Sequence, residues 1–205
     1  HHLVCDGWST NVILNELSAL YSAKREEKTA ALPPPASYGE YVRLEAEAQQ
    51  SPEWKAAEAW WRDLFATPVP RLELPTDHPH SAAQSKRGAT RRRWLDADLH
   101  HALKRVGAQH GSTLFAMLAA AFKVFLHRLS GQEEIVIGVF SAGQARVGQP
   151  DLVGHCVNML PVRSRLEGNP AFKDYLAALK SILLDVQEHE DYTYGRLLQQ
   201  LKLPR

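Results

Sequence analysis

His1-His2-Leu3-Val4-Cys5-Asp6-Gly7-Trp8-Ser9-Thr10 opens the chain. Two adjacent histidines are followed, four residues after the second, by a carboxylate and then a glycine. Imidazole has an ordinary pKa of about 6.5 and so takes up or gives a proton near neutral pH. An aspartate at fixed spacing orients a loop, pairs with a cation, or holds an imidazole in one tautomer, as the third member of a catalytic triad does. Gly7 allows positive φ and a sharp turn into a following helix, for which Ser9 and Thr10 are N-cap candidates. A terminal His-His pair alone also fits an affinity-tag remnant or a surface pair. A tag gives no reason for the pair to run on into Asp6-Gly7-Trp8 and an amphipathic helix.

That helix is predicted over residues 8–23, with Val12, Ile13, Leu17, Leu20 and Tyr21 spaced along one face. Mixed charge from Lys24 to Lys28 and the stop at Pro33-Pro34-Pro35 mark residues 24–36 as a semi-rigid linker between two lobes. Ser37 caps a helix to about residue 49. Ser51, with Pro52 at the first position, opens another whose Trp54, Ala57, Trp60, Trp61 and Leu64 read as core packing. Residues 68–83 are extended and Pro-rich, and 87–95 is a candidate strand. Its run Arg91-Arg92-Arg93 fits a solvated face better than a docking patch for an acidic partner.

Asp96 or Asp98 starts a helix ending near Gly111. Ser112 is expected to cap the next, which is apolar nearly all round from Leu114 to Leu129 and so expected to be buried. Strands follow over 134–140 and 153–166, flanking a Gly-containing loop, and then helices from Asn169-Pro170 to about 188 and over 194–201. Helices alternating with a few strands predict an α/β class, a mixed sheet covered by helices.

Lys and Arg number 24 and Asp and Glu 23, a net charge of +1, too balanced for nucleic acid or an anionic membrane as the main partner. The two cysteines, Cys5 and Cys156, argue against a disulfide framework and suit a reducing cytosol. No apolar run approaches the roughly 20 residues of a membrane span, and no signal peptide is read. Without an initiating Met, the chain is expected to be a trimmed product or a fragment.

The opening string resembles the HHxxxDG signature of condensation domains of nonribosomal peptide synthetases, within the chloramphenicol-acetyltransferase-like superfamily. Further elements follow in the family's order. Tyr38-Gly39-Glu40-Tyr41 resembles a Y-x-x-Y element and Leu74-Pro75-Thr76-Asp77 an LPTD segment. Thr113-Leu114-Phe115, with Leu126 to Gly131, is similar to the long core helix. Val153-Gly154-His155-Cys156-Val157-Asn158-Met159-Leu160-Pro161-Val162-Arg163 resembles the VGxxxNxLPxR motif. His189-Glu190-Asp191-Tyr192 resembles HQDYPFE, with Glu190 in place of glutamine and Thr193-Tyr194-Gly195 in place of Pro-Phe-Glu.

The resemblance implies a two-layer chloramphenicol-acetyltransferase-like sandwich, here incomplete. Residues 1–36 would be the C-terminal end of the first lobe with the catalytic loop, helix and linker, and residues 37–205 a truncated second lobe. It implies amide formation between thioesters carried on the phosphopantetheine arms of carrier proteins. No cofactor or metal would be bound by the domain, an adenylation domain would be a neighbour in the same synthetase, and the location would be cytoplasmic. His2 is then the candidate base or amine-positioning group, and His1 is structural. Asp6 and Gly7 are structural at the site. The family pairs this aspartate with an arginine, for which Arg146 is the candidate and Arg128 and Arg163 are alternatives. Asn158 and His155 would line the substrate channel, with His155 equally readable as a hydrogen-bonded strand residue. His189 and Asp191, two apart, do not share a helix face and are read as a turn shaping that channel. With the strands that support His2 expected to be absent, the chain alone would be inactive or poorly folded. A non-catalytic carrier-protein docking module, or an epimerising or ester-forming relative, is the alternative.

Overall fold

Most helix starts are written in side chains that accept a hydrogen bond from the first turn. The structure, a computed structural model, describes residues 1–78 and 88–201. Ser37 caps α2 (Tyr38–Ala48), and Ser51, with Pro52 at the first position, caps α3 (Pro52–Leu64). Asp96 caps α4 (Ala97–Gln109), and Thr113, rather than Ser112, caps α5 (Leu114–Ser130). The first helix, α1 (Gly7–Arg25), is capped by Asp6 and not by Ser9 or Thr10. Gly131 closes α5 in the left-handed conformation at φ 69°.

Two strands follow, β1 (Glu134–Ala142) and β2 (Val157–Arg165), joined through the one-turn α6 (Gly143–Arg146). Among the described residues they form one two-stranded sheet. Backbone bonds at its ends pair Gly143 N with Cys156 O (3.0 Å) and Leu166 N with Glu133 O (2.8 Å). The partners run in opposite directions, so the ladder is antiparallel, and among the described residues no further strand joins it to make the mixed sheet expected. Residues 88–95 are exposed and form no strand, and the candidate strand's first residue, Arg87, lies outside the described residues. The last helices are α7 (Phe172–Glu188) and α8 (Tyr194–Leu201).

Contacts group the chain into two compact units. Unit 1 comprises residues 1–66, 138–161 and 187–205, and unit 2 residues 67–137 and 162–186, a grouping drawn differently from the expected lobes 1–36 and 37–205. In unit 1 the aromatic face of α3 is core: Ala57 and Trp61 are buried, and Trp54 lies 4.9 Å from buried Tyr192. Tyr41, Leu152 and Cys156 form a second buried cluster. In unit 2, Ala116, Met117, Ala120 and Leu126 of α5 are buried, as are Ile135, Val162, Leu176 and Leu179.

The expectation that α5 is buried on all sides is corrected. Phe115, Leu118, Phe122, Phe125 and Leu129 are 44–56% exposed. These positions recur every three or four residues, so they share one face, and small Ala116, Ala119 and Ala120 carry the packed one. The packed face also buries Lys123, whose amine donates to Ile135 O and Val162 O, both at 2.8 Å.

Candidate functional site

The site is built in unit 1 around the carboxylate of Asp6, which is 5% exposed. Its Oδ1 accepts from Ser9 N and from Ser9 Oγ, both at 2.8 Å, and its Oδ2 from Cys156 N at 3.0 Å. The Gln144 amide donates to both oxygens, at 3.2 and 3.0 Å. One carboxylate thereby ties the start of α1 to the turn after β1 and to the approach to β2. Ser9 Oγ also lies 2.8 Å from Gly154 O, so its single hydrogen serves either that carbonyl or Asp6, and it accepts from Gly154 N at 3.0 Å. Burial alone would raise the Asp6 pKa. The donors from Ser9, Cys156 and Gln144 outweigh it and bring the group down to about 2.

The expected ion pair between Asp6 and Arg146 is therefore corrected. Arg146 is bonded to Asp191 and lies 3.8 Å from Glu45. Burial works against its charge, but Asp191 outweighs burial and holds the guanidinium above its ordinary range. A buried carboxylate needs donors more than it needs a cation, and backbone and side-chain N–H groups suffice. Arg163, the alternative partner, is bonded in unit 2 to Glu134 at 2.6 Å.

Gly7 is also corrected. It is the first residue of α1 and is not among the glycines at positive φ, and a Cβ there would meet open space. A glycine that close approach to backbone does demand is Gly143, where a Cβ would overlap Cys156 O and stand 2.7 Å from Tyr41 Oη.

His1 shapes the opening turn: its carbonyl accepts from Val4 N (3.0 Å) and its Nδ1 from Leu3 N (3.2 Å). The ring of His2 meets the ring of His155 edge-on at 5.0 Å. His155 is thus brought to His2, but from the segment before β2 rather than from the strand itself. His2 also lines a cavity of about 340 Å³ with Asp6, Trp8, Phe140, Gln144 and Val157, so an apolar wall faces the imidazole.

A second cavity, of about 290 Å³, is polar and includes Tyr41, Glu45, Arg146, His155, Asn158 and Glu190 in its lining. Asn158 holds the turn after α7: its amide donates to Glu190 O (3.0 Å) and accepts from Tyr194 N (3.3 Å). His189 in that turn stacks on Trp60 at 4.4 Å, and its carbonyl accepts from Trp61 Nε1 at 2.8 Å. Burial first, then the charges of Asp6 and Glu45, push the Cys156 thiol up to about 11, so it is no nucleophile at neutral pH.

Sequence reasoning missed Gln144 and Ser9 as the partners of Asp6. A signal was present for Ser9, three residues after an aspartate at a helix start, the spacing of an N-cap bond. Gln144 gave none, being 138 residues away in the chain. Among the described residues no group of three or more His, Cys, Asp or Glu is arranged to hold a metal, and no single helix is long and apolar enough to cross a membrane.

A family model described as "Condensation domain" matches residues 1–205. A linear gramicidin synthase of Brevibacillus parabrevis is 37% identical over 206 residues, covering 100% of this chain and 3% of that protein. Among solved structures, the SgcC5 protein from Streptomyces globisporus matches with a TM-score of 0.82 at 29% identity, covering 98% of this chain and 45% of that one. The first condensation domain of the calcium-dependent antibiotic synthetase, 21% identical, shares the fold with a TM-score of 0.86 over 98% of this chain and 46% of its own. The fold is the chloramphenicol-acetyltransferase-like one that the resemblance implied. The chain spans a few per cent of the synthase and less than half of each solved chain.

Proposed function

The chain belongs to the condensation-domain family, and from that premise we propose that it serves amide-bond formation between two carrier-bound thioesters, with His2 as the group that handles the amine's proton. The α-amine of the acceptor attacks the donor's thioester carbonyl, the tetrahedral centre collapses, and the donor's thiol leaves. The new amide nitrogen loses one proton and the departing thiolate takes one up, so a single base at the reacting centre can serve both. A free α-amine has a pKa of about 7.7–8.0, so a useful fraction is already neutral near pH 7. The base then acts chiefly on the proton released as the new bond forms.

The observation that carries this reading is the seat of His2. Its ring is held against His155 and faces a cavity walled by Phe140 and Val157, beside the Asp6 clamp. His2 is exposed, so an incoming amine can reach its ring, and the clamp fixes the helix that begins five residues later. Phosphopantetheine arms of carrier proteins would bring both substrates, with an adenylation domain as a neighbour in the same synthetase and a cytoplasmic setting. The gramicidin synthase relative supports that company.

The test is His2→Ala in the protein that carries this chain, assayed with donor and acceptor loaded on carrier proteins. Turnover is expected to fall about 10²–10⁴-fold. Turnover that is unchanged, with carrier binding intact, would sink the catalytic role and leave a docking module.

A further inference from the structure

We propose that Gln144 is the positioning residue of the loop that carries His2: its neutral amide holds Asp6 where the family resemblance implies an arginine, and it acts as a donor and not as a filler of space. The proposal deepens the amide-forming reading above and rests on it for its kinetic arm.

Three observations carry it. Gln144 is fully buried, and its Nε2 bonds both oxygens of Asp6. Its Oε1 is also buried and has no hydrogen-bond partner among the described residues. Buried polar atoms are nearly always paired, so an amide used twice as donor and never as acceptor marks a place built for N–H groups alone. Arginine has only donors, five of them, and the glutamine amide supplies two. Finally, Gln144, Asp6 and His2 line one cavity, so the contact and the imidazole it supports face the same space.

A neutral donor leaves Asp6 anionic without a cation on it. The groups around the carboxylate bear this out. Ser9 faces it from α1 and Cys156 from the approach to β2. The charge of Asp6 is felt by Cys156 and by Tyr38 of α2, and both also feel Glu45. Arg146 is engaged with Asp191. The histidines nearby are His2 and His155 at the cavities. The clamp on the His2 loop is thus made of hydrogen bonds to an anion, and one of its side-chain donors comes from a residue far away in the chain.

Three substitutions separate a donor from a filler. Gln144→Met keeps the length and removes the N–H groups. It is expected to lower kcat about 10-fold or more, with the acceptor KM within about 2-fold, because a loosened base costs the chemical step rather than binding. Gln144→Arg keeps the donors and is expected to retain kcat within about 3-fold. Gln144→Glu puts a second carboxyl against Asp6. Two such groups share a proton, and the pair's upper pKa rises above the ordinary carboxylate range. The extra stability of that shared proton is present below about pH 4 and is lost as pH rises through the raised value. Thermal unfolding of Gln144→Glu should therefore fall with rising pH where the parent's does not, and kcat should fall with it. The unfolding profile needs no turnover, so it reads the contact even where His2→Ala has sunk the amide-forming reading. It also decides the matter where Gln144→Met fails to fold. Parent-like turnover in Gln144→Met, damage in Gln144→Arg equal to that in Gln144→Met, or an unfolding profile of Gln144→Glu parallel to the parent's would each overturn the proposal.

Discussion

Lys123 states most sharply what a single residue must reconcile. It is fully buried on α5, and burial brings its amine down to about 7. The cause is desolvation of the charged form, which no neighbouring carboxylate offsets among the described residues. A neutral amine still carries two N–H donors, which matches the two carbonyls, Ile135 O and Val162 O, that it meets. The sign of the pH effect follows. The unfolded chain holds this proton up to about pH 10.4 and the folded chain releases it near 7, so stability rises as pH climbs between those values. Lys123→Met should flatten that rise, as chemical denaturation at about pH 7 and about pH 9.5 would report. An equal gain in parent and variant would contradict it. Asp6 shares the sign for a different reason: hydrogen bonds to its charged form, not desolvation, set the folded value below the unfolded one, so its contribution is present above about pH 4 and is lost as pH falls towards 2.

At the scale of elements, the junction of β1 with α6 fixes the site more than any helix does. Gly143 N donates to Cys156 O there, and Gln144 and Cys156 both reach Asp6 from this crossing. Adding a methyl at Gly143 would force apart two backbones and Tyr41. Gly143→Ala is expected to cost about 1–3 kcal/mol, the usual range for overpacking. Gly7 is the control, since its Cβ would meet open space in the first turn of a helix. Gly7→Ala should be neutral or stabilising by up to about 1 kcal/mol. Paired urea titrations would check both, and equal losses would show that crowding is not what position 143 resists. Helix starts were legible in the sequence wherever the cap is local, as at Ser37 and Ser51. They were misread at α1, where the aspartate assigned to an ion pair is itself the cap.

At the scale of the whole molecule, two helices carry apolar surface that the described chain does not cover. On α1, Ile13, Leu14, Leu17, Leu20 and Tyr21 are 43–63% exposed, and on α5 Phe115, Phe122 and Phe125 are at least half exposed. Contiguous apolar patches of this kind mark surfaces that associate. The 205-residue chain by itself should bind a hydrophobic dye and self-associate on sedimentation, and Leu17→Lys with Phe122→Glu should reduce both. A dye-silent monomer would refute this. The sequence by itself determined the family, the longer helices, the two paired strands and the candidacy of His2, because motif spacing and capping are local and survive in one dimension. Only the tertiary structure decided what holds Asp6, where Arg146 goes, and which face of α5 is packed. Each of those depends on groups far apart in the chain, or on which neighbours take up a face, and chain spacing encodes neither.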